Sequence, residues 1–314
     1  MNLSVIIAHY APYYRGDYYL DLLRKTINSV REQKFDGVIE IIVCDDGSFW
    51  SKDLYTSDTI TIVKPLESQN DVLRSLNIDL LIGLPDVNKY RGATIKDYAF
   101  RNAKYENILV LDDDHPLTTT DSAKKICNYL NKYEYVIGRV IGPTGLPQMY
   151  FSPNAQGTTY GIKKSLYVEF GGFEKWLFEN AMGEDNVIQW KAYDTIVNKK
   201  NRKACFAGEV ITKDLASNRW LDRSNNLTEN QKKIFEEEKY KRQTTFIEDF
   251  NASFGVHPYS NPSRNRNMWT VLSSRDALLT EIRLLPTWVY KSSIASIKVK
   301  YQRIKNKLKK IGKK

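Results

Sequence analysis

LVLDDDHPL (109–117) completes an apolar run that begins at Ile108 and leads straight into three aspartates, a histidine and a proline. Adjacent carboxylates repel, and burying any of them is costly without a compensating positive charge. Two readings follow. The cluster is a solvated turn, or it holds a cation. The apolar run reads as a buried strand, so the acids stand at its carboxyl end. A hard divalent ion such as Mg²⁺ or Mn²⁺ takes oxygen ligands, typically one or two carboxylates plus substrate phosphates.

The same grammar recurs upstream. LSVIIAHY (3–10) is a short β-branched run, VIEIIVCDDGS (38–48) is a second run ending in acids and a turn, and TITIVKP (59–65) is a third. Between them LDLLRKTINSVREQ (20–33) places Leu23, Ile27 and Val30 at helical spacing, and TIKDYAFRNAKY (94–105) suits another helix. Downstream come a helix near 121–132, a strand in YVIGRVIG, a Gly/Pro-rich loop over 142–161 with short strands, and a last strand in KACFAGEVITK (203–213). Alternating strands and helices predict an α/β fold with a mostly parallel, Rossmann-like sheet flanked by helices. In such sheets ligands bind outside the carboxyl ends of the strands. Asp45-Asp46 and Asp112-Asp113-Asp114 both fall there. DDGS alone is as readily a solvated loop or a helix cap.

Composition narrows the class. The 314 residues are 42% hydrophobic and 27% charged, with no apolar stretch approaching a membrane span and no signal-peptide pattern at MNLSVIIAHY. Three cysteines without a CxxC pair argue against a disulfide framework or a structural zinc, and fit a reducing cytoplasm. The net charge of +10 is local: residues 291–314 carry ten Lys or Arg and no acid, and the remainder is balanced. A basic nucleic-acid-binding body is therefore not expected.

SVIIAHY, EIIVCDDGS, KDYAFRNAKYENILVLDDD, FGGFE and GED occur in the order seen in family 2 glycosyltransferases of the GT-A fold, and the chain resembles that family over residues 3–215. The resemblance implies transfer of a sugar from a nucleotide-diphosphate donor, UDP being the commonest, with Mn²⁺ or Mg²⁺ as cofactor. It implies a nucleotide pocket lined by Ala8 and Tyr10, with Asp46 accepting from the base. Asp112 would lie near the ribose or a metal-bound water. Asp114 is the expected direct metal ligand, and Asp112 shares the metal site. Asp113 would fill the variable, solvent-exposed middle position. Where the family has Arg-Asn, this chain has Lys96-Asp97; Lys96 or Arg91 would meet phosphate as a point charge, and solvated helix surface is the plain alternative for both. GED matches the family's general-base motif, with Asp185 taking the acceptor's proton and Glu184 assisting, against the alternative of an acidic helix start. Phe173 and Trp176 are acceptor-side aromatics or core. The family's later histidine ligand has no counterpart in VITKDLASNRW; Asp214 could replace it, with His115 and His257 as weaker candidates. The implied reaction is a single displacement with inversion.

Residues 1–220 would form the catalytic domain, 221–285 a mainly helical extension, and 286–314 a basic amphipathic helix. In the last, Ile294, Ile297, Tyr301, Ile304, Leu308 and Ile311 form one apolar stripe among Lys and Arg, with Trp288 and Tyr290 just before it. That pattern suits peripheral attachment to the anionic inner face of a cell membrane, or else a coiled-coil seam or a stripe packed on the body. With the resemblance it implies a glycan or lipid-linked acceptor in the synthesis of capsule or lipopolysaccharide. The alternatives are a nucleotidyltransferase, which SVIIAHYAPYYRG disfavours for want of a Gly-rich basic phosphate loop, and a non-catalytic nucleotide-binding or membrane scaffold.

Overall fold

The computed structural model describes residues 1–11, 15–55, 59–85, 92–142, 145, 158–173, 188, 191–192, 194–200, 202, 204–216, and isolated positions beyond. Among the described residues, five α-helices and nine strands run in chain order: β1 Leu3–His9, α1 Gly16–Arg31, β2 Ile39–Asp45, β3 Thr61–Val63, α2 Asp71–Ser75, β4 Leu80–Gly83, α3 Gly92–Asn102, β5 Asn107–Asp112, α4 Ser122–Leu130, β6 Tyr135–Ile141, β7 Tyr160–Lys163, α5 Lys164–Glu169, β8 Cys205–Lys213 and β9 Leu272–Ser273. They form one mixed sheet in the order β3-β4-β2-β1-β5-β7-β6-β8-β9. The strand pairs β1/β2, β1/β5, β2/β4, β6/β8 and β8/β9 are parallel. The expected α/β sheet is therefore present.

The strands read as nearly unbroken apolar runs because both faces are covered. Successive side chains alternate between faces. Ile6, Ile42, Cys44, Ile108 and Val110 point to one face, where Ala93, Ile95, Ala99 and Phe100 of α3 pack. Val5, Ile7, Ile41, Val43, Leu109 and Leu111 point to the other, against Leu20, Leu23, Ile27 and Val30 of α1 and Ile126 and Leu130 of α4. Each fully buried aliphatic contributes about 1.5–3 kcal/mol. The two faces thus hold β1 at the centre of the sheet, between the β2 half and the β5 half. The chain moves outward from β1 in both directions, so a crevice opens at its carboxyl end.

Three strands depart from the expected reading. β3 is the third run of the sequence, but it lies antiparallel at the sheet edge against β4. β4, the short LLIG segment, supplies the parallel neighbour of β2 instead. β7, from the end of the Gly/Pro-rich loop, is antiparallel to both β5 and β6. The helical extension, the basic tail, Arg91, Glu184, Asp185, Trp176 and His257 lie outside the described residues, a few isolated positions of the extension and tail excepted. No helix among the described residues is long and apolar enough to cross a membrane.

Candidate metal and nucleotide site

Strand alternation separates the three aspartates. Ala8 pairs with Asp112 and with Cys44, and His9 pairs with Asp45, so three strands end on one line. Asp112 continues the α3 face of β5. Its side chain is 33% exposed, its N–H donates to Thr158 Oγ1 at 3.1 Å, and the positive charges of His115 and Lys96 act on it. Burial raises its pKa to about 6, opposed by His115 and Lys96 and reinforced by Asp114 and Asp113.

Asp113 corrects an expectation. It is 1% exposed rather than solvated. The turn after β5 sends it to the α1 face, where its Oδ2 lies 2.7 Å from Nδ1 of His9 and its carbonyl accepts from Thr26 Oγ1 at 2.8 Å. Trp50 Nε1 donates to His9 Nε2 at 3.0 Å, so the proton of a neutral imidazole sits on Nδ1 and points at Asp113. Asp113 is thus a buried strut.

Asp114 and His115 are buried side by side in the turn. Asp114 Oδ1 and His115 Nδ1 are 2.7 Å apart, and the same nitrogen is 3.9 Å from Asp112 Oδ2. Ligand atoms of Asp112, Asp114 and His115 all lie within 4.8 Å of one another, the one such metal-capable group among the described residues. Burial depresses the His115 pKa, but its hydrogen bond to Asp114 and the charges of Asp114, Asp112 and Asp214 outweigh this and raise it. The turn is pinned from behind. Thr118 N–H donates to Ile211, Lys213 N–H to Pro116, and Leu215 N–H to Asp114, all onto carbonyls at 2.9–3.1 Å. That strap against β8 brings Asp214 close. Its Oδ1 accepts from Ala216 N–H at 2.8 Å, and its carboxylate is not part of the three-residue cluster.

At the end of β2 the two aspartates divide their roles. Asp45 is fully buried and accepts from Ser48 N–H at 3.1 Å, from Ser51 Oγ, and from Tyr55 Oη at 2.5 Å. It folds the DDGS turn, where Gly47 has φ +79. Asp46 follows it, buried, with its N–H on His9 O at 3.1 Å. Ser48 Oγ accepts from Ala11 N–H at 2.8 Å and ties the β1 loop to the β2 loop. Ala8 and Tyr10 are half-buried at this seam.

Lys96 is 3% exposed, which removes the helix-surface alternative. From α3 it faces the same side as Cys44 and Asp112 and lowers the pKa of both. Its neighbour Asp97 works elsewhere. Asp97 accepts from Arg101 Nε at 2.7 Å and from Tyr167 Oη at 2.5 Å. Burial and Asp97 push the Tyr167 hydroxyl up, so it remains a donor. The FGGF turn packs against this group: Gly171 and Gly172 have φ of +80 and +72, and a Cβ on Gly172 would come within 2.8 Å of Asp97 Oδ1. Phe173 is buried in the same core, 5.8 Å from the Tyr167 ring and 6.2 Å from Phe100, so it is a core residue and not an acceptor platform.

Of the expected residues, the structure brings Ala8, Tyr10, Asp46, Lys96, Asp112 and Asp114 to one edge of the sheet. The sequence reading missed His9, Trp50 and Thr158, and it set His115 aside. For His9 the signal was available: it shares strand parity with the acids it pairs among.

No protein-family model matches the sequence, and no curated protein matches it. Solved structures do. TarS of S. aureus is 19% identical with a TM-score of 0.43, over 68% of this chain and 35% of that one. The mannosyltransferase PcManGT from Pyrobaculum calidifontis, solved with GDP-Man and Mn²⁺, is 14% identical with a TM-score of 0.48, over 94% and 75%. GalNAc-T7, solved with UDP, GalNAc and Mn²⁺, is 14% identical with a TM-score of 0.46, over 68% and 43%. The chain thus spans about a third of the length of TarS. Likeness at this level says nothing about the substrate of this chain.

Proposed function

We propose that the protein is a metal-dependent glycosyltransferase that moves a sugar from a nucleotide-diphosphate donor, UDP favoured, to a hydroxyl of a glycan or lipid-linked acceptor. The observation that carries this reading is the convergence of Asp112, Asp114 and His115 within 4.8 Å at the carboxyl edge of the sheet, where β1, β2 and β5 end. The donor set fits a divalent cation: two carboxylates held close together at the end of a strand. Asp112 and Asp114 would hold Mn²⁺ or Mg²⁺. When bound, such an ion would supply positive charge against the departing nucleoside diphosphate.

The chain's own residues supply the rest. Asp46 accepts from the base beside Ala8 and Tyr10. Lys96 offers a buried positive charge toward the diphosphate, with Arg91 as its companion. The acceptor oxygen bonds to the anomeric carbon as the bond from that carbon to the phosphate oxygen breaks. The electron pair leaves with the diphosphate, and the acceptor's proton passes to Asp185, assisted by Glu184. One such displacement inverts the anomeric centre. The division into a 1–220 catalytic domain, a helical extension and a 286–314 tail seated on the anionic inner membrane face belongs to the same proposal, as does a place in surface-polysaccharide synthesis.

Titration calorimetry of UDP, GDP, CDP and dTDP, with and without Mn²⁺, tests this on the wild type and on Asp114→Ala. Tight, metal-dependent binding of one nucleotide, lost in the variant, is expected. Binding indifferent to both metal and Asp114 would overturn it.

A further inference from the structure

We propose that His115 is itself a ligand of the metal, completing a carboxylate–carboxylate–imidazole set with Asp112 and Asp114, so that the site prefers Mn²⁺ or Co²⁺ to Mg²⁺. The inference rests on the transferase reading above and specifies its metal.

Two donors about 2.1 Å from an octahedral ion stand about 3.0 Å apart when adjacent and about 4.2 Å apart when opposite. His115 Nδ1 is 2.7 Å from Asp114 Oδ1 and 3.9 Å from Asp112 Oδ2, within reach of that geometry. It is the same nitrogen that faces both carboxylates. The imidazole is nine-tenths buried and cannot swing freely. Its backbone N–H is bonded to Asp112 O at 3.1 Å, and Pro116 behind it is held by Lys213 N–H at 3.1 Å. With an ion among the three, His115 Nδ1 would offer its lone pair in place of the hydrogen bond to Asp114, and the ring would carry its single remaining proton on Nε2. Asp214 stays outside the set, as a neighbouring charge turned toward Ala216 N–H. An imidazole nitrogen favours later transition metals over Mg²⁺, which keeps to oxygen.

The competing role is that His115 keeps its proton and orients Asp114 from outside the coordination sphere. Pulsed EPR on the full chain loaded with Mn²⁺ alone separates the two. A directly coordinated nitrogen is expected in the wild type, shifted by ¹⁵N-histidine labelling, lost in His115→Gln and retained in His257→Gln. Removing the donor should weaken Mn²⁺ by roughly 10–100-fold, a range outer-shell partners alone can reach. It should also narrow the Co²⁺-to-Mg²⁺ preference. Bound Mn²⁺ without nitrogen coupling in the wild type, coupling that survives in His115→Gln, or no Mn²⁺ binding at all overturns the proposal. The wild-type labelling result decides the matter even if the variant does not fold. UDP binding in the same samples keeps the two readings apart. Metal-dependent UDP binding without nitrogen coupling removes His115 and leaves the transferase. Nitrogen coupling with no nucleotide binding leaves the ligand set and removes the transferase.

Discussion

His9 Nδ1 donates to Asp113 Oδ2 at 2.7 Å although 104 positions separate the residues in sequence, and both side chains are buried. The contact fastens the end of β1 to the turn that carries Asp112 and Asp114. His9→Ala should remove one donor from a buried carboxylate, at a cost of roughly 1–3 kcal/mol. In a double-mutant cycle with Asp113→Asn the losses should be less than additive, because either change breaks the same contact. Urea denaturation of the four proteins measures this. Strictly additive losses would show that the pair is not coupled.

The two aspartates of DDGS should behave oppositely. Asp45→Ala removes the acceptor of Ser48 N–H and of Tyr55 Oη, while Ser51 Oγ keeps Ser48 O at 3.0 Å, and should cost about 3 kcal/mol or more. Asp46→Ala should cost less stability yet abolish nucleotide recognition. Melting temperature beside calorimetric affinity separates the effects. Equal destabilisation with unchanged nucleotide affinity would remove Asp46 from the pocket.

Lys96→Met should fold and should weaken binding of UDP with Mn²⁺ by about 10–100-fold, the worth of a charge-assisted contact at roughly 1.5–3 kcal/mol. Lys96→Arg should recover part of the loss. Affinity unchanged in the methionine variant would mean that this buried charge serves only to balance Asp112.

Glycine is required unequally in FGGF. Gly171 and Gly172 both have positive φ, and a Cβ at 171 meets nothing within 4 Å, whereas one at 172 meets Asp97. Gly171→Ala should therefore cost about 1–2 kcal/mol from backbone strain alone. Gly172→Ala should cost clearly more, since the carboxylate it strikes is held by Arg101 and Tyr167. Equal costs from chemical denaturation would refute the steric account.

The thiols should be silent in the folded protein. Burial raises Cys44 to about 12 and Cys127 to about 11, and Cys205 is also buried. The reactive thiolate is favoured only above the folded-state pKa, so at pH 8 Cys44 and Cys127 stay thiols. Ellman's reagent should find no fast-reacting thiol in the native state and three after unfolding. A rapid native reaction would show that β2, α4 or β8 opens.

Local pattern by itself determined the α/β alternation and the placement of both acidic runs at strand carboxyl ends. Burial on two faces imposes unbroken apolar strands, and one buried face imposes helical spacing, so Val5–Ile7, Ile41–Val43 and Leu23–Ile27–Val30 were readable in isolation. LLIG was too short to stand out from its surroundings. Nothing local distinguished the antiparallel edge strand β3 from a parallel one, because orientation is a property of the partner. The division of labour among Asp112, Asp113 and Asp114 was likewise beyond local pattern. Strand parity sends adjacent side chains to opposite faces, but what waits on each face is set by register. α1 and β1 bring Thr26 and His9 to Asp113, α3 brings Lys96 toward Asp112, and the β8 strap holds His115 beside Asp114. Tertiary packing alone decided which carboxylate became a strut and which two were drawn together beside His115.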